Sequence, residues 1–116
     1  MVGKVSVETA EHYVWGQGCD GWHLVKGEAL SVIRERMPPG TSEARHLHVR
    51  ARQFFLVLAG TACFERDGDV LTLRPGEGVE VWPGVPHTMM NRTEGALEFL
   101  VVSAPKAHGD RVLVPV

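Results

Sequence analysis

Apolar and polar positions alternate along most of this chain, in short runs. The clearest run is ALSVIRERM, in which Val32, Arg34 and Arg36 share one face and Ser31, Ile33, Glu35 and Met37 share the other. A period of two belongs to a half-buried β-strand. Pro38-Pro39-Gly40 ends it. Next comes HLH, then QFFLVLAG, rich in β-formers and closed by Gly60, which reads as the returning strand of a pair. TACFER and VLTL flank Asp67-Gly68, a dipeptide that favours a tight hairpin because both residues tolerate positive φ. VEVW follows the turn Arg74-Pro75-Gly76-Glu77-Gly78, and HTMMN follows Pro83-Gly84-Val85-Pro86. ALEFLVVS is the last long strand before Pro105, and the VLV run of the tail is expected to pair with a sheet edge. Near the start, VSVETA reads as an arm or an edge strand. YVWGQGCDGWHLV sets Tyr13, Trp15, Trp22 and His23 among glycines, a run of turns whose large rings either close one end of the fold by packing or form a lid near a pocket. No stretch carries a helical period, an internal repeat or a low-complexity linker. Strands this short and this often interrupted predict an all-β sandwich or barrel.

The chain has 116 residues, enough for one domain with a single core. Its 44% hydrophobic and 22% charged content is ordinary for a soluble globular protein. A formal charge of −2 implies no broad attraction to nucleic acid or to a membrane surface. No apolar run approaches the ~18 residues a spanning helix needs. The start lacks the basic-then-apolar layout of a signal peptide. Cys19 and Cys63 are not spaced as CxxC and suit a reducing compartment. The expectation is a cytoplasmic protein with a small-molecule ligand and no nucleic-acid or membrane partner.

The candidate chemistry sits between Gly40 and Gly60. His46 and His48 leave the same face of one strand, and neutral imidazole is the commonest side-chain ligand of transition metals. Gln53, on the next strand, is placed to return to the same site, and His87 offers a third imidazole far downstream. An isolated HxH is more often two solvated or packed histidines than a metal site. The glycine frame around it changes that reading. Gly40, His46, His48 and Gly60 fit the first of two motifs that define the cupin superfamily, and Gly76, Gly84, His87 and Asn91 fit the second. The chain therefore resembles a small single-domain cupin, of the kind labelled mannose-6-phosphate-isomerase-like, over about residues 29–103. Two positions depart from the pattern. Gln53 stands where the family has Glu, and Trp82 stands where it has a proline, with Pro83 displaced by one residue.

The resemblance implies a jelly-roll β-barrel in one domain, residues 1–116, with an N-terminal arm and a C-terminal tail. It implies one divalent transition metal (Fe, Ni, Zn, Cu or Mn) on His46, His48 and His87, with Gln53 as a further ligand through its amide oxygen. A neutral amide leaves the metal its full charge, which favours an anionic ligand, and it cannot act as a general base. Any base has to lie elsewhere, at Glu35, His23 or His108. Phe55, Val57, Met89 and Phe99 are expected to line the cavity, and Arg34, Arg36 and Glu35 are further pocket candidates, the arginines only if their face points inward rather than to solvent. Asn91 is expected to fix backbone, and Cys63 to pack. The function implied is a mononuclear-metal enzyme, dioxygenase- or isomerase-type, acting on a small anionic or chelating substrate. The alternative is a non-catalytic module that binds a sugar or metabolite. Phe54, Leu56 and Leu58 form an apolar outer face that needs a cover, so a homodimer is expected.

Overall fold

The computed structural model describes residues 3–115 and contains eleven strands and no helix among them. In chain order they are β1 (Glu11–Trp15), β2 (Cys19–Lys26), β3 (Ser31–Met37), β4 (His46–His48), β5 (Arg52–Ala59), β6 (Ala62–Arg66), β7 (Asp69–Leu73), β8 (Gly78–Val81), β9 (His87–Met90), β10 (Leu97–Ala104) and β11 (Arg111–Leu113). They form two antiparallel sheets, a six-stranded one in the order β1-β2-β3-β10-β5-β8 and a five-stranded one in the order β11-β4-β9-β6-β7. The jelly-roll reading holds.

The two sheets meet over side chains that the period-two pattern turns inward. Met37, Val57, Phe64, Met89, Leu97 and Phe99 are all 1% exposed or less and form the centre of the core. On β3, Ser31, Ile33 and Met37 are buried, while Arg34 is tied on the outer side to Glu98 at 2.7 Å. On β5, Gln53, Phe55 and Val57 point in, and Phe54 is 41% exposed outside.

Several expectations change. HLH and QFFLVLAG are not a pair: β4 and β5 lie in different sheets, and β5 runs between β10 and β8. The crossing is fixed by Asp110, whose carboxylate accepts N–H bonds from Val49, Arg50 and Ala51 and so satisfies the backbone where no strand can. The glycine-rich aromatic stretch is a β-hairpin, β1 with β2, rather than a series of turns. VSVETA forms no strand: Ser6 is the acceptor of a turn closed by Thr9 and Ala10. The tail does pair, β11 lying along β4. Asp67-Gly68 makes the tight hairpin between β6 and β7, at φ of 52° and 94°.

Asn91 acts on backbone as expected. Its amide donates to the carbonyls of Met37 and Gly95, and its oxygen accepts from the Thr93 N–H and hydroxyl. Trp82 projects outward, and the Arg52 guanidinium lies 4.1 Å over its ring, so the displaced proline leaves room for a cation–π contact on the outer face.

Candidate metal centre

Register brings the three histidines together. β4 and β9 are neighbours, and His46 stands directly opposite His87, while His48 is two residues along β4 on the same inward face. The turn before β9 helps to hold them. Pro83 and Gly84 occupy its centre, closed by the Val85 N–H on the Trp82 carbonyl, and Gly84 has the positive φ of 81° that such a turn requires there. Its N–H also donates to the His48 carbonyl at 2.7 Å, which ties the His87 approach to the His48 strand.

One ring nitrogen from each of His46, His48 and His87 lies within 4.8 Å of the others. All three residues are buried, His87 completely. Two of the rings are oriented by backbone. His46 Nδ1 meets the Ala44 carbonyl at 2.8 Å and His87 Nδ1 meets the Val85 carbonyl at 3.0 Å. A carbonyl only accepts, so each Nδ1 carries the proton and each Nε2 keeps its lone pair. The His87 ring is further stacked on Phe64, at 16° and 5.9 Å between centroids, and edges onto Phe55.

Gln53 reaches the same cavity from the opposite sheet. Its amide nitrogen donates to the hydroxyl of Ser103, its direct neighbour on β10, at 3.0 Å. That leaves two acceptors, Gln53 Oε1 and His87 Nε2, buried without a partner. An unpaired buried polar atom costs roughly 1–3 kcal/mol. Orphaned acceptors gathered beside three imidazoles are what a resident cation, bound by lone pairs, would satisfy. The donor set fits a transition metal.

The cavity above this cluster measures about 550 Å³. His46, His48 and Gln53 form its floor; Ile33, Phe55 and Val101 are apolar wall; Glu35, Glu43, His108 and Arg111 are the titratable or charged groups on it. Of the pocket residues expected from sequence, Phe55 and Glu35 line the cavity. Val57, Met89 and Phe99 lie in the packed core instead, because the neighbouring strands close over that end of the sandwich. Arg34 and Arg36 do not line it either, since their register places them outside. His108 borders the cavity, whereas His23 lines only a smaller neighbouring pocket that shares His108. Cys63 stands outside the histidine cluster, and both cysteines are free thiols. Glu43 and Arg111 were not singled out by the sequence. The one signal was Glu43's place between the glycine and the HxH of the first motif; Arg111 enters the site only through the pairing of its strand with His48.

Burial sets the protonation states. It pushes the His46, His48 and His87 imidazoles down to about 4, so all three are neutral ligands at pH 7. Burial pushes the Glu35 carboxyl up to about 7, against the Tyr13 hydrogen bond, and the Glu43 carboxyl up to about 8, with the nearby Glu35 adding to the rise. Linkage then fixes how the metal-free protein responds to pH. The depressed histidines lose stability as pH falls from 6.5 toward 4, because the unfolded chain binds the protons first. The raised carboxyls lose it as pH rises from 4.5 through 7 and 8, because the unfolded chain releases them first. Below pH 6.5 these three histidines, joined by His23, which burial also depresses, act one way and the two carboxyls the other; between pH 6.5 and 8 only the carboxyls act. Thermal unfolding of metal-free protein should therefore be most resistant at about pH 6.5 and fall on both sides. A midpoint that climbed steadily from pH 6 to pH 9 would contradict these assignments.

A family profile described as a cupin domain matches residues 33–103. The chain is 30% identical over 88 residues to a mannose-1-phosphate guanylyltransferase of Salmonella montevideo, a match covering 76% of this chain and 19% of that protein. It thus spans about a fifth of that relative's length. It is 28% identical over 85 residues to an oxalate-binding protein of Thermotoga maritima, covering 69% of this chain and 70% of that one. Among solved structures, the polyketide cyclase RemF of Streptomyces resistomycificus matches with a TM-score of 0.85 at 17% identity, over 100% of this chain and 87% of that chain. That last likeness concerns the fold alone.

Proposed function

Since the chain belongs to the cupin domain family, we propose that it is a metal-dependent enzyme acting on a small carboxylate-bearing substrate that chelates the metal. His46, His48 and His87 would hold one divalent ion, with Gln53 Oε1 beside them. The observation that carries this is the convergence of three neutral, buried imidazoles, two of them lining the cavity with Gln53, beside the unpartnered Gln53 Oε1 and His87 Nε2. A nitrogen-rich set of this kind suits iron, nickel, copper, zinc and, less well, manganese. A bound ion would supply Lewis acidity to a substrate oxygen.

The chain's own residues account for the choice of substrate. Three neutral imidazoles and a neutral amide cancel none of the ion's charge, so the cavity attracts an anion. Arg111 lines the cavity and, among the described residues, forms no ion pair. On this reading its guanidinium would take carboxylate oxygens in a two-pronged hydrogen bond. Ile33, Phe55 and Val101 keep water from one side of the substrate. Oxalate is the simplest probe of this chemistry, and the name of the Thermotoga maritima relative supports the same ligand class. Replacing Arg111 by glutamine should weaken oxalate binding to the nickel-loaded protein by about 10- to 100-fold, the value of a charge-assisted hydrogen bond, with nickel content unchanged. Calorimetric titration reads both. Equal oxalate affinity in the two proteins would remove Arg111 from the site.

The same relative's name favours a second reading, a binding module without turnover. Proton NMR in heavy water, with a panel of 2-hydroxy and 2-keto acids, separates the two. Metal-dependent loss of a carbon-bound proton signal supports the enzyme; binding without chemical change supports the module. A second copy of the chain is the proposed cover of the Phe54, Leu56 and Leu58 face, and sedimentation velocity would show the dimer or a monomer that contradicts it.

A further inference from the structure

Gln53 carries no basic oxygen, yet the cavity is not short of carboxyl groups. Glu35 and Glu43 both line it, and each is held by a dedicated donor. For Glu35 the donor is the Tyr13 hydroxyl, 2.9 Å from Oε2. Tyr13 lies on β1, two strands away from β3, and register sets Tyr13, Gly21 and Glu35 in one row across β1, β2 and β3. The tyrosine reaches across only because the middle position is glycine: a Cβ on Gly21 would stand 2.2 Å from the Tyr13 ring. Glu43 is clamped to the strand that carries His87. Its N–H donates to the Met89 carbonyl, its carbonyl accepts from the Thr88 hydroxyl, and its Oε1 accepts from the Met89 N–H at 2.9 Å. Each carboxyl thus has one oxygen engaged and one left over. The groups facing the pair are Tyr13 on β1, Cys19 on β2, His46 and His48 on β4, and His108 and Arg111 of the tail.

We infer that Glu35 and Glu43 form the proton-bearing wall of the ligand site, taking up a proton when a small dicarboxylate binds and presenting it as an O–H donor to a ligand oxygen. The inference rests on the anion site proposed above and gives the cavity the acid–base group that Gln53 cannot be. The remaining carboxylate charge and a dianion in one cavity repel, and a further proton drawn from solvent removes a negative charge and creates a hydrogen bond in its place. Burial already favours that proton on both groups. Tyr13 and the Met89 N–H are positioning groups: they fix which oxygen of each carboxyl is free.

The test is calorimetric titration of nickel-loaded protein with oxalate at pH 7.5, in two buffers of different ionisation heat, with nickel content measured on the same samples. The parent should take up about one proton per oxalate bound. The double variant Glu35→Gln, Glu43→Gln should keep its nickel, still bind oxalate through amide donors, and take up none. The Tyr13→Phe variant should bind with a changed proton count, which a merely structural loss at that position would not produce. A loaded parent that binds oxalate without proton uptake, or a double variant that still takes one up, overturns the inference alone. A parent that takes up no nickel, or that takes it up and ignores oxalate, overturns the proposed function and the inference with it.

Discussion

The His87→Ala variant should lose tight metal binding: its affinity for nickel or zinc should fall on the order of 100-fold or more. Loss of a group that merely orients a ligand weakens metal sites about 10- to 100-fold, and this change removes the ligand itself. His87 opens β9 opposite His46, so its imidazole brings the second motif to the two histidines of the first. Its Nδ1 is committed to the Val85 carbonyl, which leaves Nε2 as the lone pair offered inward, and Nε2 has no other partner. Removing the ring leaves two histidines from one short strand. Competition against a chelator of known affinity measures the change, and circular dichroism on the metal-free variant checks that the sheets persist. Metal affinity within threefold of the parent would mean that His87 is a packed histidine and no ligand.

Phe64→Ala should destabilise the metal-free protein by about 3–5 kcal/mol, the range for truncating a large aromatic in a packed core. Phe64 is fully buried on β6, 5.1 Å from the Phe55 ring and stacked on His87. Because the same ring seats His87, metal affinity should fall as well, although no ligand atom is lost. Urea unfolding with a fixed slope reads the stability. A loss under about 1 kcal/mol would show that the two sheets are not held together at this point.

How much of this was legible in the sequence depends on how local the signal is. β3 and β5 were readable because alternation decides which residues point inward, and Ile33, Gln53 and Phe55 face the core as their period requires. The three histidines were readable because the frame of glycines fixes strand spacing. Sheet membership was not. Nothing in HLH or QFFLVLAG states that the chain changes sheets between them; that follows from Asp110, some sixty residues away, capping the N–H groups at the crossing. Depth within the sandwich was equally hidden. Phe55 and Phe99 both point inward, but only Phe55 reaches the cavity, because a strand's period gives a side chain's face and not its position along the layer. Arg111 and Glu43 carry no periodic signal at all. They became site residues through pairing with β4 and β9, the kind of long-range contact that one-dimensional patterning does not encode.

The acid–base wall and the anion site both depend on one claim, that three imidazoles share one metal. X-ray absorption spectroscopy of the zinc-loaded protein, purified without a histidine tag, tests it most directly. The account predicts a first shell of nitrogen and oxygen atoms at about 2.0–2.1 Å, the outer-shell scattering of three imidazole rings, and no sulfur at about 2.3 Å. One imidazole ring or none, or a sulfur neighbour, would place the metal somewhere other than His46, His48 and His87.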